Sequence, residues 1–135
     1  MNPLGLIAAL TAFFSIWLGH VSVRKIESSS PTTWIPSTMF AILGIGCEWL
    51  SLKAPNLQLA IVFGITGITL LFDAFEFTRQ QKRIIKGHAP ANPGNLRHAK
   101  ILLEYSSATT LNLLKRDPTR SPLLAGRSSQ VREKQ

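Results

Sequence analysis

The sequence has almost no cysteine, and its first 23 residues contain no charged side chain. Cys47 is alone among 135 residues, so an intrachain disulfide framework is excluded. There is no Walker loop, no H-E-x-x-H motif and no cysteine pair, and His20, His88 and His98 lack the spacing of a metal site. We therefore predict a protein that is not an enzyme and carries no metal or obligatory cofactor.

Charge is divided unequally between the two halves of the chain. Residues 1–78 carry three Lys and Arg against four Asp and Glu, a net charge of −1, and residues 79–135 carry twelve against three, a net charge of +9. Together they give the net charge of +8 for the whole chain. A soluble domain with one core does not usually segregate its charge in this way, so the two halves are interpreted separately.

The first half contains three long apolar runs, which predict membrane-spanning helices at about residues 4–23, 34–52 and 57–78. The first run of 20 residues is roughly 30 Å long as a helix, close to the thickness of a bilayer core. Arg24 and Lys25 follow this run instead of preceding it, which argues against a cleaved signal peptide. Residues 1–87 are therefore predicted to form a three-helix transmembrane domain, whose third helix continues beyond the membrane.

The distribution of basic residues predicts one orientation in the membrane. Arg24 and Lys25 lie in the first loop, Lys53 is alone in the second, and the C-terminal half is strongly basic. By the positive-inside bias we expect a multi-pass protein of a bacterial inner membrane, with its N-terminus outside and its C-terminus in the cytoplasm.

Residues 88–135 are predicted to form a basic cytoplasmic extension. After a turn rich in proline and glycine, Asn95 is the predicted N-cap of an amphipathic helix over about residues 96–116, which Asp117 and Pro118 end. An extended, irregular basic tail follows. The expected fold class is thus all-α, with three transmembrane helices, a cytoplasmic amphipathic helix and this tail, which can lie on anionic lipid headgroups or on a partner chain.

Two polar residues of the apolar runs are candidate sites. His20 is either a ligand for haem iron or chlorophyll magnesium, or an interfacial histidine bonded to a backbone or headgroup. Glu48 is the only charge inside the second run, and buried intramembrane acids often have a functional role. A proton or transport role requires Glu48 to face the other helices, whereas a structural role has it reach water or Lys53.

Further residues are interpreted as packing, solvation or anchoring groups. Asp73 and Glu76 are expected to be solvated where the third helix leaves the membrane, with Glu76 paired to Arg79. Small residues of the third run are expected to let helices approach closely, against the second span or against another protein. These small residues are Ala60, Gly64 and Gly67. The basic tail is expected to be anchored on a partner by Arg116, Arg120 and Arg127.

Residues at both ends of the apolar half, several of them polar, form a recognisable pattern. They are Met1, Asn2, Gly5, Leu6, Ile7, His20, Lys25 and Glu27 at its start, and Glu76, Gln80, Arg83, Lys86, Gly87, Pro90, Asn92 and Pro93 at its end. Over about residues 1–93 the chain resembles a family of short three-span bacterial membrane proteins of unknown function. The resemblance implies a small three-span protein with no known activity, and it makes residues 94–135 an addition. His88 and Ala89 depart from the family, in which aromatic residues are usual.

The functional expectation is a small accessory subunit of a larger bacterial membrane complex, respiratory or photosynthetic. The alternative is a small transporter or channel-like homo-oligomer that uses Glu48. A third possibility is a membrane-tethered basic tail that senses lipid charge. The expected partners are other membrane subunits and membrane lipids. Nucleic acid is not expected, because the basic half has only Tyr105 for base stacking.

Overall fold

The structure, a computed structural model, describes residues 3–112 and is all-α. Three helices are long and apolar enough to cross a membrane, so the chain is a multi-pass membrane protein. They begin where the apolar runs begin, and each extends past the predicted span. The four helices are α1 (Leu4–Ser29), α2 (Trp34–Lys53), α3 (Leu57–Ile85) and α4 (Leu96–Glu104).

The third helix is the centre of the bundle. It packs along α1 on one side and along α2 on the other, while α1 and α2 do not pack extensively against each other. Asn56 begins α3 by accepting a hydrogen bond from the backbone N–H of Leu59 at 2.9 Å, a standard N-cap. Ala54 and Pro55 are the only other residues between α2 and α3, so these two helices form a tight antiparallel pair.

Small side chains let α2 and α3 approach closely. A Cβ placed on Gly44 would lie 2.8 Å from Leu71 Cγ and 3.0 Å from the carbonyl oxygen of Gly67. The Ser51 hydroxyl donates to the carbonyl of Ala60 at 2.8 Å. In a membrane, where lipid is as apolar as the side chains, such close backbone contact is a main source of helix association.

The end of α3 is a complete Schellman motif. Gly87 has φ 73°, the backbone N–H of His88 donates to Arg83 at 2.8 Å, and that of Gly87 donates to Ile84 at 3.0 Å. This left-handed conformation favours glycine. A Cβ at Gly87 would also collide with the carbonyl oxygen of Ser107, so the chain reverses here against the segment that follows α4.

The helix predicted over residues 96–116 is wrong in length. The structure confirms Asn95 as its N-cap, but α4 ends at Glu104 and Tyr105 is extended. The serines and threonines after it are weak helix formers that bond to other backbone groups. Ser107 Oγ donates to the carbonyl of Ile85 at 2.5 Å, and the carbonyl of Thr109 accepts from Ala91 at 2.8 Å.

The small core of this region is formed by the end of α3, the following loop and one face of α4. Ile84, Ala89, Ala91 and Ile101 are buried together. The helix therefore uses Ile101 to face the core, while Leu103 is 89% exposed. We call the end of the bundle that holds residues 24–33 and 86–112 the capped end.

Candidate functional site

A buried ionic cluster joins α1 to α4 at the capped end. Glu27 lies in the last turn of α1 and is only 1% exposed. Arg97 Nη2 donates to Glu27 Oε1 at 2.9 Å and to the Glu27 carbonyl at 2.7 Å. His98, fully buried, places its Nε2 3.2 Å from the same carboxylate oxygen. One carboxylate thus holds two side chains of α4.

The hydrogen bonds fix the tautomer of His98. The backbone N–H of Asn92 donates to Nδ1 at 3.0 Å, so Nδ1 is an acceptor without a proton. Nε2 therefore carries the proton and donates it to Glu27. Both ring nitrogens are occupied by protein groups, which leaves His98 as a structural residue instead of a ligand for a metal or haem.

Two asparagine side chains satisfy the end of α1. Asn92 Nδ2 and Asn95 Nδ2 each donate to the carbonyl of Ser28 at 3.0 Å, and Asn95 Nδ2 also donates to the carbonyl of Ser30 at 2.8 Å. The last carbonyls of a helix have no partner within it. The loop before α4 therefore supplies the donors that α1 lacks, while Asn95 caps α4 with its side-chain oxygen.

The acids of α3 are not solvated, so that part of the expectation for Asp73 and Glu76 is wrong, although the expected Glu76–Arg79 pair is present. Asp73 is 6% exposed and lies against Gly19, where any Cβ would collide with Asp73 Oδ2. Within residues 3–112, Asp73 Oδ2 has no hydrogen-bond partner. Glu76 is also mostly buried, and pairs with Arg83 at 2.7 Å more closely than with the expected Arg79 at 3.7 Å. The absence of a side chain at Gly19 is what brings α1 over these acids.

A groove of about 710 Å³ runs between α1 and α3 next to these acids. Its wall is mainly apolar along most of its length, and charged side chains lie at the end toward the capped end. A second cavity of about 360 Å³ adjoins it and shares His20 and Glu76 with it. We call the larger cavity the α1–α3 groove; its lining includes Ala12, Ile16, Ile68, Phe72, His20 and Arg79.

The structure places His20, the predicted pigment or haem ligand, at the charged end of this groove. The side chain is exposed, with Asp73, Glu76 and Arg79 lining the same end. Among the described residues, no group of three or more His, Cys, Asp or Glu side chains could hold a metal ion. The geometry thus gives His20 charged neighbours, whereas ligation of haem or chlorophyll stays a prediction.

Glu48 faces α3 instead of reaching Lys53. A Cβ at Gly67 would lie 2.7 Å from Glu48 Oε1, so the carboxylate fills the space left by that glycine. Lys53 Nζ lies 5.4 Å from the ring centre of Trp49, a cation–π distance. Gly64 and Gly67 both pack against α2, through Ser51 and Gly44 respectively.

Of the remaining predicted residues, Arg116, Arg120 and Arg127 lie outside the part of the chain that the structure describes. Sequence reasoning missed the buried set at the capped end as a unit. Its members lie in two separated segments, at residue 27 and at residues 92–98, and the sequence features noted for them, an N-cap, a family pattern and a lone histidine, did not connect the two segments. The set comprises Glu27, Asn92, Asn95, Arg97 and His98.

The model of a family described as a domain of unknown function, DUF4491, matches residues 2–95. The match covers more than half of the chain, which therefore belongs to this family. Comparison with curated proteins and with solved structures gives no match. The match ends at the N-cap of α4, so Glu27, Asn92 and Asn95 lie inside the family domain and Arg97 and His98 lie just beyond it.

Proposed function

We propose that this protein is a small accessory subunit of a larger bacterial membrane complex, respiratory or photosynthetic, and that it is not an enzyme. In this proposal the bundle packs among other membrane subunits, and the basic segment contacts a partner on the cytoplasmic side. The observation that carries the proposal is the capped end. It fixes the start of the basic segment to α1 and α3 through buried polar contacts, as a docking element requires.

The contacts that support this arrangement lie in the first turn of α4 and after its end. In the first turn, the Arg97 and His98 side chains are held by Glu27. After it, Ser107 and Thr109 bond to the end of α3 and to the loop before α4. The chain therefore reaches residue 112 along a defined path, and the positions that follow carry the proposed anchors Arg116, Arg120 and Arg127.

The capped end is proposed to lie in the cytoplasm of a bacterial cell, with the N-terminus outside the inner membrane. Arg24, Lys25 and the basic residues at the end of α3 are all at the capped end, which supports this orientation by the positive-inside bias. Reporter fusions in the loop at Pro31 and after Gln135 are expected to report cytoplasm. A periplasmic signal from either fusion contradicts the orientation.

Purification in mild detergent followed by mass spectrometry tests the accessory role. The full chain is expected to copurify at fixed stoichiometry with larger membrane proteins. Deletion of residues 113–135 leaves the Glu27 cluster intact, so it is expected to weaken retention in the complex at raised salt without loss of membrane insertion. Exchanging Arg116, Arg120 and Arg127 for glutamine is expected to act in the same direction.

Two results would contradict this proposal. If the truncated chain copurifies as well as the full chain at raised salt, residues 113–135 are only a loose electrostatic tether. If the purified protein carries stoichiometric haem or pigment whose absorbance band disappears in His20→Ala, the protein has a cofactor role at His20 instead.

The orientation of Glu48 toward α3 favours a second candidate, a transporter or channel-like homo-oligomer. An acid that faces neighbouring helices satisfies the first requirement of an intramembrane proton or ion site. In liposomes, such a protein shows flux by itself, and Glu48→Gln abolishes it while the exposed control Glu104→Gln does not. The accessory role instead predicts no flux from either protein.

A further inference from the structure

The α1–α3 groove combines an apolar wall with a charged end, as a binding site for an amphiphile does. The groove runs along α3 from Ile65 to Arg79, which is about 21 Å at 1.5 Å per residue. One leaflet of a bilayer, with its headgroup layer, is about 20–22 Å thick. Ile16, Ile68 and Phe72 line the apolar part. The groove therefore has the length and polarity of a single lipid in one leaflet.

The charged end of the groove has more positive than negative charge available to a ligand. Glu76 is already paired with Arg83, and Asp73 Oδ2 is buried against Gly19. Arg79 remains 70% exposed and makes only the longer contact to Glu76. Arg24 lines the adjoining cavity and makes no ion pair with any residue of the described chain. The Arg24 guanidinium is thus unpaired within the described residues and the Arg79 guanidinium is only loosely paired, so both can meet an anion, with His20 between the two cavities.

We propose that the α1–α3 groove binds one anionic phospholipid, with its phosphate at Arg24 and Arg79 and one acyl chain along Ile16, Ile68 and Phe72. Arginine forks pair well with phosphate oxygens. A zwitterionic lipid has the same chains, but its own cation competes with the arginines for the phosphate. A helix of a partner protein fits less well, because large side chains line the groove where close helix packing needs small ones.

Lipid binding in the α1–α3 groove does not depend on membership of a complex. An experiment can therefore contradict the lipid site without contradicting the accessory role, and the reverse. The purified full chain in detergent, freed of bound lipid, is titrated with phosphatidylglycerol or phosphatidylcholine, and retention is followed by native mass spectrometry. Phosphatidylglycerol is expected to bind as one saturable molecule and phosphatidylcholine to bind about 25-fold more weakly, which is the effect of two basic contacts at about fivefold each.

The headgroup contact is tested with a pair of neighbouring substitutions. Arg24→Gln is expected to weaken phosphatidylglycerol binding about fivefold, the effect of one basic residue near a lipid surface. Lys25→Gln removes the same charge from a side chain that lines neither the groove nor the adjoining cavity, and it is expected to leave binding unchanged. Arg24→Lys keeps the charge and is expected to retain most of the binding.

The apolar part is tested by filling it. Ile68→Trp places a larger side chain in the groove and is expected to abolish retention of the lipid. Ile42→Trp is the matched control, because Ile42 is 65% exposed on α2 and does not line the groove. Thermal unfolding shows whether each variant is folded, and if Ile68→Trp is not, Phe72→Ala provides a second variant that weakens the wall without filling it.

Several results overturn the proposal. Equal binding of the two lipids means that only ordinary surrounding lipid occupies the groove. Unchanged binding in folded Ile68→Trp and Phe72→Ala places the lipid elsewhere. Displacement of the lipid by inorganic phosphate at low millimolar concentration means that the arginines select a soluble anion and the apolar wall contributes nothing.

Discussion

The membrane-spanning part of the bundle and its capped end are held together by opposite kinds of contact. Between α2 and α3, Gly44, Ser51 and Gly67 let two backbones approach. At the capped end, Glu27 and Arg97 meet as a buried ion pair with side chains 1% and 13% exposed. The membrane-spanning part depends on the absence of side-chain atoms at its glycines, and the capped end depends on the presence of two opposite charges.

The solvent around each region explains this difference. In lipid, helices gain little from burying apolar surface, so contact distance decides how strongly they associate. Near the membrane surface, water competes for every charge, and a buried ion pair persists only when both partners remain. The two regions should therefore respond to different substitutions: added atoms should disturb the membrane part, and removed charges should disturb the capped end.

Loss of Glu27 should have the largest effect. In Glu27→Ala, Arg97 and His98 lose their common acceptor, and the free energy of unfolding in detergent is expected to fall by about 3–5 kcal/mol, as for other broken buried pairs. Amide exchange of residues 92–104 should rise with it. Denaturant unfolding and hydrogen exchange measure these changes.

Two controls make that result specific. Glu104→Ala removes an exposed acid from α4 and should change stability by less than about 0.5 kcal/mol. The double variant Glu27→Ala with Arg97→Ala should be more stable than Glu27→Ala alone, because no unpaired buried charge remains. A double variant as unstable as the single one would show that charge is not what holds the capped end.

Added volume at the α2–α3 contact should have the next largest effect. Gly44→Ala places a methyl group against Leu71 and the Gly67 carbonyl, and overpacking of this kind costs about 1–3 kcal/mol. Gly46→Ala is on the same helix with nothing within 4 Å of its new Cβ, and it should be neutral or slightly stabilising. Thermal unfolding of the pair in one detergent compares them, and equal melting temperatures would contradict the packing argument.

A smaller effect is expected at the loop that caps α1. Asn95→Ala removes the N-cap of α4 together with the donors to Ser28 and Ser30, at a cost of about 1–2 kcal/mol. Asn95→Ser keeps a cap oxygen without the amide donor and should recover part of the loss. The recovered fraction, measured by denaturant unfolding, separates the cap of α4 from the cap of α1.

The smallest effect is expected where an ion pair reaches solvent. Arg83 is 48% exposed although it pairs closely with Glu76, so Arg83→Gln should cost less than about 1 kcal/mol, and this cost should shrink further in high salt. Lys82→Gln, which removes an exposed charge that has no ion pair in the described part of the chain, is the control. An Arg83 effect as large as that of Glu27 would remove the distinction between the two regions.

The helices could be predicted from the sequence because the signals for each helix lie within or next to the helix itself. The apolar runs, Asn95 before α4 and Gly87 after α3 carry their signals within a few residues. The length of α4 could not be obtained in this way, because it is decided by distant bonds from Ser107 and Thr109 to other segments.

The candidate site was less accessible to the sequence than the fold. Glu27 and Arg97 are 70 positions apart, and the sequence around either residue contains no signal that the two are in contact. Asp73 was misplaced because its burial depends on Gly19 of another helix, and the choice between two orientations of Glu48 stayed open because it depends on Gly67 of another helix. In each case the deciding contact joins two helices, and composition or periodicity within one helix does not contain it.

The central position of α3 also sets the order in which this molecule can assemble. During synthesis α1 enters the membrane first, but its packing partner α3 is the last of the three spans. The Glu27 carboxylate has no ion-pair partner until Arg97 has been synthesised. The Glu27–Arg97 pair can close only if both ends have remained on the same side of the membrane. A chain whose first helix crossed the membrane in the opposite direction, with α3 unchanged, therefore cannot form this pair.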